Sequence, residues 1–149
     1  MEILKGLMTP LVACIATYIA WQQYQTNKQK FVLDRYDRRL KVYEEVRKIL
    51  SIIGREAKAS YEDLLEFRRA VSESDFLFGP EIPAYIDEIY QKGINLQYWS
   101  GEYRDSSQEK PEGYDHQQVV DGMHKELAWL SKQFIPAKQK FKKYLDLSG

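Results

Sequence analysis

The sequence predicts an all-α protein in which an N-terminal transmembrane helix continues into a long helix that packs in an antiparallel bundle of three to four helices. Sixteen residues without a charge, Gly6–Trp21, lie near the amino terminus, and apolar residues beyond them recur at helical spacings of three and four. The 149 residues are 44% hydrophobic and 13% aromatic, which suffices for one core. We therefore expect a transmembrane anchor at residues 3–23 and a cytoplasmic helical bundle domain at residues 24–149.

The first apolar segment has the length and the flanking residues of a membrane span. As a helix it covers roughly 24 Å, and an extension back to Ile3, with Lys5 reaching the head groups, closes most of the gap to a bilayer core of about 30 Å. Aromatic rings and cations at its downstream end suit the membrane interface. The residues that we expect there are Tyr18, Trp21, Tyr24, Lys28 and Lys30.

Basic residues are concentrated on one side of this segment. Only Lys5 and the amino terminus precede it, whereas six basic residues follow it closely. They are Lys28, Lys30, Arg35, Arg38, Arg39 and Lys41. Because positive residues that flank a span are retained on the cytoplasmic side, we expect the amino terminus outside and the main domain in the cytoplasm.

Three other interpretations of the first segment are open. A cleaved secretory signal needs small residues before its cleavage site, and Tyr18–Ala20 fits that pattern poorly. Leu11–Cys14 looks like a lipoprotein lipobox, but the apolar core before it is short and apolar sequence continues past it. The segment is also compatible with a buried helix of a soluble domain. For Cys14, we favour a small apolar residue that faces lipid or a neighbouring helix.

Beyond the anchor, an apolar stripe predicts a long helix from about residue 24 to residue 57. Its residues are Val32, Tyr36, Leu40, Tyr43, Val46, Leu50 and Ile53. The opposite face carries opposite charges at i,i+4 spacing, for example Asp34 with Arg38. We expect this charged face to be solvated and paired with itself, so that a substitution such as Arg39→Ala leaves stability nearly unchanged. A contact of its arginines with lipid head groups or with a partner is the alternative.

A short helix and a sharp turn follow. Ser60, three residues before Asp63, has the spacing of an N-terminal helix cap. Gly79–Pro80 breaks the backbone, and Pro83 suits the first turn of the next helix. The apolar run Phe76–Phe78 is expected to close one end of the core, and a partner-binding aromatic patch is the alternative.

Two further helices are predicted, with a polar loop between them. The first contains Ile82, Ile86, Ile89, Gly93 and Leu96 and stops near residues 99–101. Residues 102–118 contain almost no aliphatic residue and form the loop. The second helix has a three-four repeat, which we call the seam: Val120, Met123, Leu127, Leu130, Phe134, Phe141 and Tyr144. Such a seam needs a helical partner, within the chain or on a second subunit. Pro136 should kink or restart this helix near Phe134.

Composition and motifs argue against several classes of function. Basic and acidic residues are balanced at 22 each, so no net field attracts nucleic acid. No glycine-rich phosphate loop occurs in the sequence. The two histidines, His116 and His124, match no zinc spacing, and nothing resembles a nucleophile with a histidine base. We therefore expect no cofactor, no metal ion, no nucleic acid, no small-molecule substrate and no enzymatic activity.

Two stretches of the chain carry a resemblance. Lys30–Tyr43 reads KFVLDRYDRRLKVY, and Phe76–Ile82 reads FLFGPEI. They resemble the KxxLDxYDRRxxVY helix and the FLFGxEI turn of a group of uncharacterised small bacterial proteins that have an N-terminal membrane segment. The resemblance spans residues 10–90 and implies a bacterial source and an inner-membrane location. It implies no activity and no site residues.

The anchor, the seam and the lack of catalytic motifs favour a membrane-anchored interaction or scaffold protein. Such a protein contacts membrane lipid and tethers itself, as a homo-oligomer, or a protein partner at the cytoplasmic face of the bacterial inner membrane. One alternative is a small membrane-acting effector, a toxin or defence component that oligomerises in the bilayer. The other is a non-catalytic subunit of a membrane enzyme.

Overall fold

The computed structural model describes residues 2–147, and these residues form helices joined by short connections. No strand occurs within this described part of the chain. The helices are α1 (Glu2–Glu56), α2 (Tyr61–Ala70), α3 (Ser74–Leu77), α4 (Glu81–Glu102), α5 (His116–Ser131) and α6 (Phe134–Lys142). The predicted all-α class is therefore confirmed, and the antiparallel arrangement of the helices stays a prediction.

The chain divides into two compact units, Met1–Asp37 and Arg38–Gly149. We call them the N-terminal unit and the helical domain. The border between them lies inside α1, downstream of the anchor end that the sequence predicts at residue 23. Compactness does not mark where a bilayer ends, so the predicted anchor border is not tested by this division.

The N-terminal unit consists of the first part of α1. The helix runs on through Pro10, which lacks a backbone N–H and so leaves one carbonyl of the preceding turn without its helical partner. The apolar side chains here are exposed, among them Ile3, Leu11 and Ile15. By length and composition this part of the helix suffices to cross a membrane, and none of its apolar window is buried.

The second part of α1 supplies the predicted stripe to the core of the helical domain. Val46, Leu50 and Ile53 are fully buried, and so is Val42, which lies outside the predicted stripe. Val32, at the start of the stripe, is exposed. The periodicity therefore extends further along the helix than the burial does.

The charged face of α1 makes ion pairs with other segments of the helical domain. Lys48 Nζ lies 3.3 Å from Glu66 Oε1 on α2, and Arg38 Nη1 lies 3.5 Å from Glu73 Oε2. The i,i+4 spacing of the charges predicts pairs within the helix alone. All four side chains are more exposed than buried, so these pairs contribute little to stability.

The predicted start of α2 and the predicted stripe of α4 are confirmed. Ser60 Oγ accepts a hydrogen bond from the Asp63 backbone N–H at 3.1 Å, which caps α2. All five residues of the α4 stripe are buried. Between α1 and α2 the backbone turns at Ala57, whose φ of 55° lies in the left-handed region.

Close contacts of α4 with α2 and α5 depend on glycine. A Cβ atom on Gly93 would lie 2.5 Å from Leu64 Cδ2 of α2, and a Cβ atom on Gly122 of α5 would lie 2.5 Å from the Trp99 indole of α4. Both distances are shorter than van der Waals contact, and Leu64 is fully buried. A larger residue at either glycine would therefore have to displace a packed side chain.

The seam lies on two helices, α5 and α6, rather than on one kinked helix. Since α6 begins at Phe134, the restart that Pro136 indicated is confirmed. Buried Gln133 occupies the break, where its Nε2 donates to the Trp129 carbonyl at 3.0 Å and its Oε1 accepts from the Tyr85 hydroxyl at 2.8 Å. Burial raises the pKa of Tyr85 to about 12. These bonds satisfy the polar groups at the break.

The polar loop predicted at residues 102–118 is shorter than expected. Residues 103–115 lie outside the helices. Asp115 begins α5, because its side chain accepts a hydrogen bond from the Gln118 backbone N–H at 3.2 Å. The first turn of α5 is polar, so its composition resembles that of a loop and conceals the helix start.

Candidate interaction surface

The residues predicted for the membrane interface lie at exposed positions of the N-terminal unit. Tyr18, Trp21 and Tyr24 are exposed, and so are Lys28 and Lys30. The ring centroids of Tyr18 and Trp21 lie 6.4 Å apart, so these two aromatic side chains are neighbours on the helix surface. Their contact with a membrane stays a prediction.

Two hydroxyl groups in the apolar part of α1 are satisfied within the helix. Thr17 Oγ1 donates to the Ala13 carbonyl at 2.8 Å, and Thr9 Oγ1 donates to the Lys5 carbonyl at 3.4 Å. A hydroxyl without a partner is unfavourable in hydrocarbon. These internal bonds are therefore compatible with a helix that faces lipid.

The helical domain uses most of the predicted seam for its own core. Five seam residues belong to the core or pack against it: Met123, Leu127, Leu130, Phe141 and Tyr144. Val120 is half-buried, and Phe134 is 39% exposed. Of the two partners considered for the seam, the chain itself covers most of it, and Phe134 is left facing outward.

An open groove lies beside Phe134, between α6 and the part of α1 in the helical domain. We call it the α6 groove. Its volume is about 480 Å³, and its lining residues are Tyr43, Arg47, Phe134, Ile135, Lys138, Lys142 and Leu145. Ile135 is 70% exposed. The groove thus combines uncovered apolar side chains with three cations, a combination that suits an acidic amphipathic ligand.

The expectation that Arg39 is a solvated residue is wrong. Its Nε donates to the Leu77 carbonyl at 2.8 Å, and its Nη1 donates to the Tyr144 carbonyl at 3.4 Å. Its guanidinium carbon lies 5.8 Å from the Phe78 ring centroid and 5.3 Å from that of Tyr144. Arg39 therefore joins α1 to the end of α3 and to the chain after α6. These carbonyls are distant in sequence, so a charged run gives no sign of them.

Tyr144 makes a second link at the same end of the helical domain. Its hydroxyl accepts from the Gly79 backbone N–H at 3.1 Å and donates to the Glu81 carboxylate. Lys143 Nζ lies 2.8 Å from that carboxylate. Hydrogen bonds from Lys143 and Tyr144 lower the pKa of Glu81 to about 2, and Glu81 in turn raises the pKa of Lys143. The network thus favours the charged forms of both residues.

A buried ion pair that the sequence does not predict joins α4 and α5. Glu126 Oε2 lies 3.4 Å from Lys92 Nζ, and the Glu126 side chain is 7% exposed. Within the described residues this oxygen has no aligned hydrogen-bond donor, so the contact is an ion pair alone. Lys92 Nζ also lies 5.6 Å from the Trp129 ring centroid. Apolar periodicity cannot reveal a buried charged residue.

The apolar run Phe76–Phe78 closes the core only in part. Phe78 is buried and meets Phe141 edge to face at a ring-centroid distance of 5.2 Å, and Leu77 packs against the same core. Phe76, however, is 90% exposed, so its predicted burial is wrong. Phe76 and Leu77 are neighbours on α3, where successive side chains point about 100° apart, and Phe78 follows the helix in an extended conformation, so the three side chains do not share one direction.

Metal-binding groups do not converge in the described part of the chain. Among residues 2–147, no group of three or more His, Cys, Asp or Glu side chains is placed to hold a metal ion. His116 Nδ1 lies 3.1 Å from the Tyr114 hydroxyl, and Cys14 is exposed on α1.

Comparisons with family models, curated proteins and solved structures gave no match. The resemblance of Lys30–Tyr43 and Phe76–Ile82 to a group of small bacterial membrane proteins therefore stays a prediction. Function has to be inferred from the residues of this chain alone.

Proposed function

We propose that this chain is a membrane-anchored interaction protein of the bacterial inner membrane. Residues 3–23 cross the bilayer once, with the amino terminus outside and the helical domain in the cytoplasm. The observation that carries the proposal is the exposure of the apolar first part of α1. A contiguous apolar surface of this size favours aggregation in water, and a bilayer covers it.

Two other kinds of helix have the same length and composition as this one. The core helix of a soluble protein is one of them, but such a helix is mostly buried, and none of the apolar window of α1 is buried. A signal sequence near the amino terminus is the other. The bulky residues Tyr18 and Ile19 near its end fit a cleavage site poorly. Both observations support an anchor that stays on the protein.

The helical domain provides the interaction part of the proposal. In it, α1, α4 and the α5–α6 segment form an antiparallel bundle, and the α6 groove remains uncovered on its surface. Ile135 and Phe134 present apolar area there, next to cations of the same groove. Apolar area surrounded by charged residues is typical of a protein-binding site.

The anchor is tested by fractionation of bacterial cells that express the full-length chain. We expect the protein in the membrane fraction, at its full mass and resistant to an alkaline wash. Leu11→Arg combined with Ile15→Arg should move it to the soluble or aggregated fraction, because each arginine at the centre of a span costs about 2.5–3.5 kcal/mol. Tyr61→Arg, at an exposed aromatic residue of α2, is the matched control and should stay with the membrane. A soluble or shortened wild-type protein would overturn the anchor.

The interaction part is tested by chemical crosslinking in the same cells, followed by mass spectrometry of the captured chain. Ile135→Asp places a charge in the α6 groove and should remove the crosslinked partner. Tyr98→Asp changes an exposed aromatic residue outside the groove and should leave the crosslinks unchanged. Equal crosslinking of the two variants would mean that the groove is not the interaction surface.

A further inference from the structure

The α6 groove carries charge of one sign. Arg47, Lys138 and Lys142 line it, and none of its described lining residues has a carboxylate. The exposed side chains of Phe134 and Ile135 line the same groove. The groove is therefore complementary to an apolar side chain that has acidic neighbours.

The helical domain itself presents such a side chain. Phe76, at 90%, is the most exposed large hydrophobic residue among the described residues. Asp75 precedes it and Glu73 lies close by, and both are exposed. We call Phe76 and these two acids the α3 knob. The knob supplies an apolar ring and, at Asp75, a negative charge that the groove lining does not have, whereas Glu73 already pairs with Arg38 at 3.5 Å.

The knob and the Leu145 end of the α6 groove both lie next to Arg39. Arg39 donates to the carbonyl of Leu77, which follows Phe76, and to the carbonyl of Tyr144, which precedes the groove residue Leu145. Two copies related by a two-fold axis at this end can each place a knob in the groove of the other. Such an exchange forms a closed dimer instead of an open chain of subunits.

We propose that the α6 groove binds the α3 knob of a second copy of this chain. In this dimer Phe76 fills the apolar part of the groove, and Asp75 approaches Lys138 and Lys142. Anchoring of both copies in one membrane, a step that rests on the proposed function, raises their effective concentration and favours the dimer. Anionic lipid or an acidic segment of another protein could fill the same groove, and the experiment below separates these occupants from a second copy.

The contact is tested by disulfide crosslinking of the full-length chain in cell lysates, from which the membrane and soluble fractions are then separated. Two differently tagged chains, both with Cys14→Ser, are co-expressed, one with Phe76→Cys and the other with Ile135→Cys. Mild oxidation should join the two tags. Tyr98→Cys, at another exposed aromatic position, replaces Phe76→Cys in the control pair and should give several-fold less product. A yield no higher than that of the control would overturn the proposal.

Charge reversal identifies the occupant. Lys138→Glu with Lys142→Glu in the chain that carries Ile135→Cys should lower the crosslink yield several-fold, and Asp75→Lys in the other chain should restore it. These positions are exposed, so folding is retained, and circular dichroism checks this. An unchanged yield, or a loss that Asp75→Lys does not restore, would overturn the proposal and favour lipid or another protein.

The same samples distinguish failure of the dimer from failure of the anchor, because the share of the protein in the membrane fraction is measured in each. A crosslink in a soluble chain refutes the anchor alone. A membrane-bound chain without the crosslink refutes the dimer alone.

Discussion

The charged neighbours of Arg39 in the sequence do not reveal the contacts that its side chain makes in the fold. It lies in the run DRYDRRLKVY, where neighbouring charges predict a solvated side chain. In the fold it donates to two carbonyls and lies near two aromatic rings. A charged donor that satisfies carbonyls at the end of a helix contributes more to stability than an exposed ion pair does.

Arg39→Ala should therefore lower the free energy of unfolding by about 1.5–3 kcal/mol, because the carbonyls of Leu77 and Tyr144 lose a charged donor. Chemical unfolding of the full chain in detergent, followed by circular dichroism, measures this change. Arg55→Ala is the control, since Arg55 is 74% exposed and its ion pair with Glu56 spans 3.8 Å. That variant should differ from wild type by less than about 0.5 kcal/mol. Equal effects of the two substitutions would contradict the role of Arg39.

Glu81 links the stability of the helical domain to pH. Its pKa is lowered from 4.5 to about 2 by hydrogen bonds from Lys143 and Tyr144. As the pH falls, the unfolded chain binds the proton first, so the stabilisation is complete above pH 4.5 and is lost between about 4.5 and about 2. Glu81→Gln should make the melting temperature less dependent on pH in this window. Glu109→Gln, in the exposed loop, should keep the wild-type dependence, and a Glu81→Gln variant with that same dependence would contradict the network.

At the level of helices, the features that the sequence predicts are local ones. The buried stripe of α4, the Ser60 cap and the restart at Phe134 all depend on residues within a few positions of one another. The features that it does not predict depend on contacts between helices. The burial of Glu126 against Lys92 is an example, since nothing in periodicity separates a buried acid from a solvated one.

The contact between α4 and α5 can be tested by comparing a glycine that is packed against a side chain with one that has open space around it. Gly122→Ala would place a methyl group 2.5 Å from the Trp99 indole, so it should destabilise the domain by about 1–2 kcal/mol even after the gain in helix propensity. Gly54→Ala, in α1, meets no atom within 4 Å and should stabilise by up to about 1 kcal/mol. Thermal unfolding of both variants gives the comparison. Changes of the same sign would refute the close contact at Gly122.

For the molecule as a whole, the sequence reveals a candidate membrane span more easily than a candidate interaction surface. An uncharged stretch such as Gly6–Trp21 is visible in the sequence because it is one continuous segment, long and apolar enough to cross a membrane as a helix. The α6 groove combines Arg47 of α1 with Ile135 of α6, and Ile135 lies outside the seam register. Surfaces made by separate helices become visible only after the fold has brought their residues together.

The orientation of the whole chain should depend on the charges that follow the span. Lys28→Gln, Lys30→Gln and Arg35→Gln together remove three positive charges within about 15–20 residues of its end, so the fraction of chains with a cytoplasmic helical domain should fall. Protease digestion measures this fraction, because a cytoplasmic domain is cleaved in inverted vesicles and protected in spheroplasts.

The control removes the same charge far from the span and should keep the wild-type orientation. Its substitutions are Lys138→Gln, Lys140→Gln and Lys142→Gln. Positive residues fix topology only near the ends of a span, so location rather than net charge should decide the result. A wild-type helical domain that is cleaved in spheroplasts and protected in inverted vesicles would reverse the predicted orientation and place the α6 groove outside the cytoplasm.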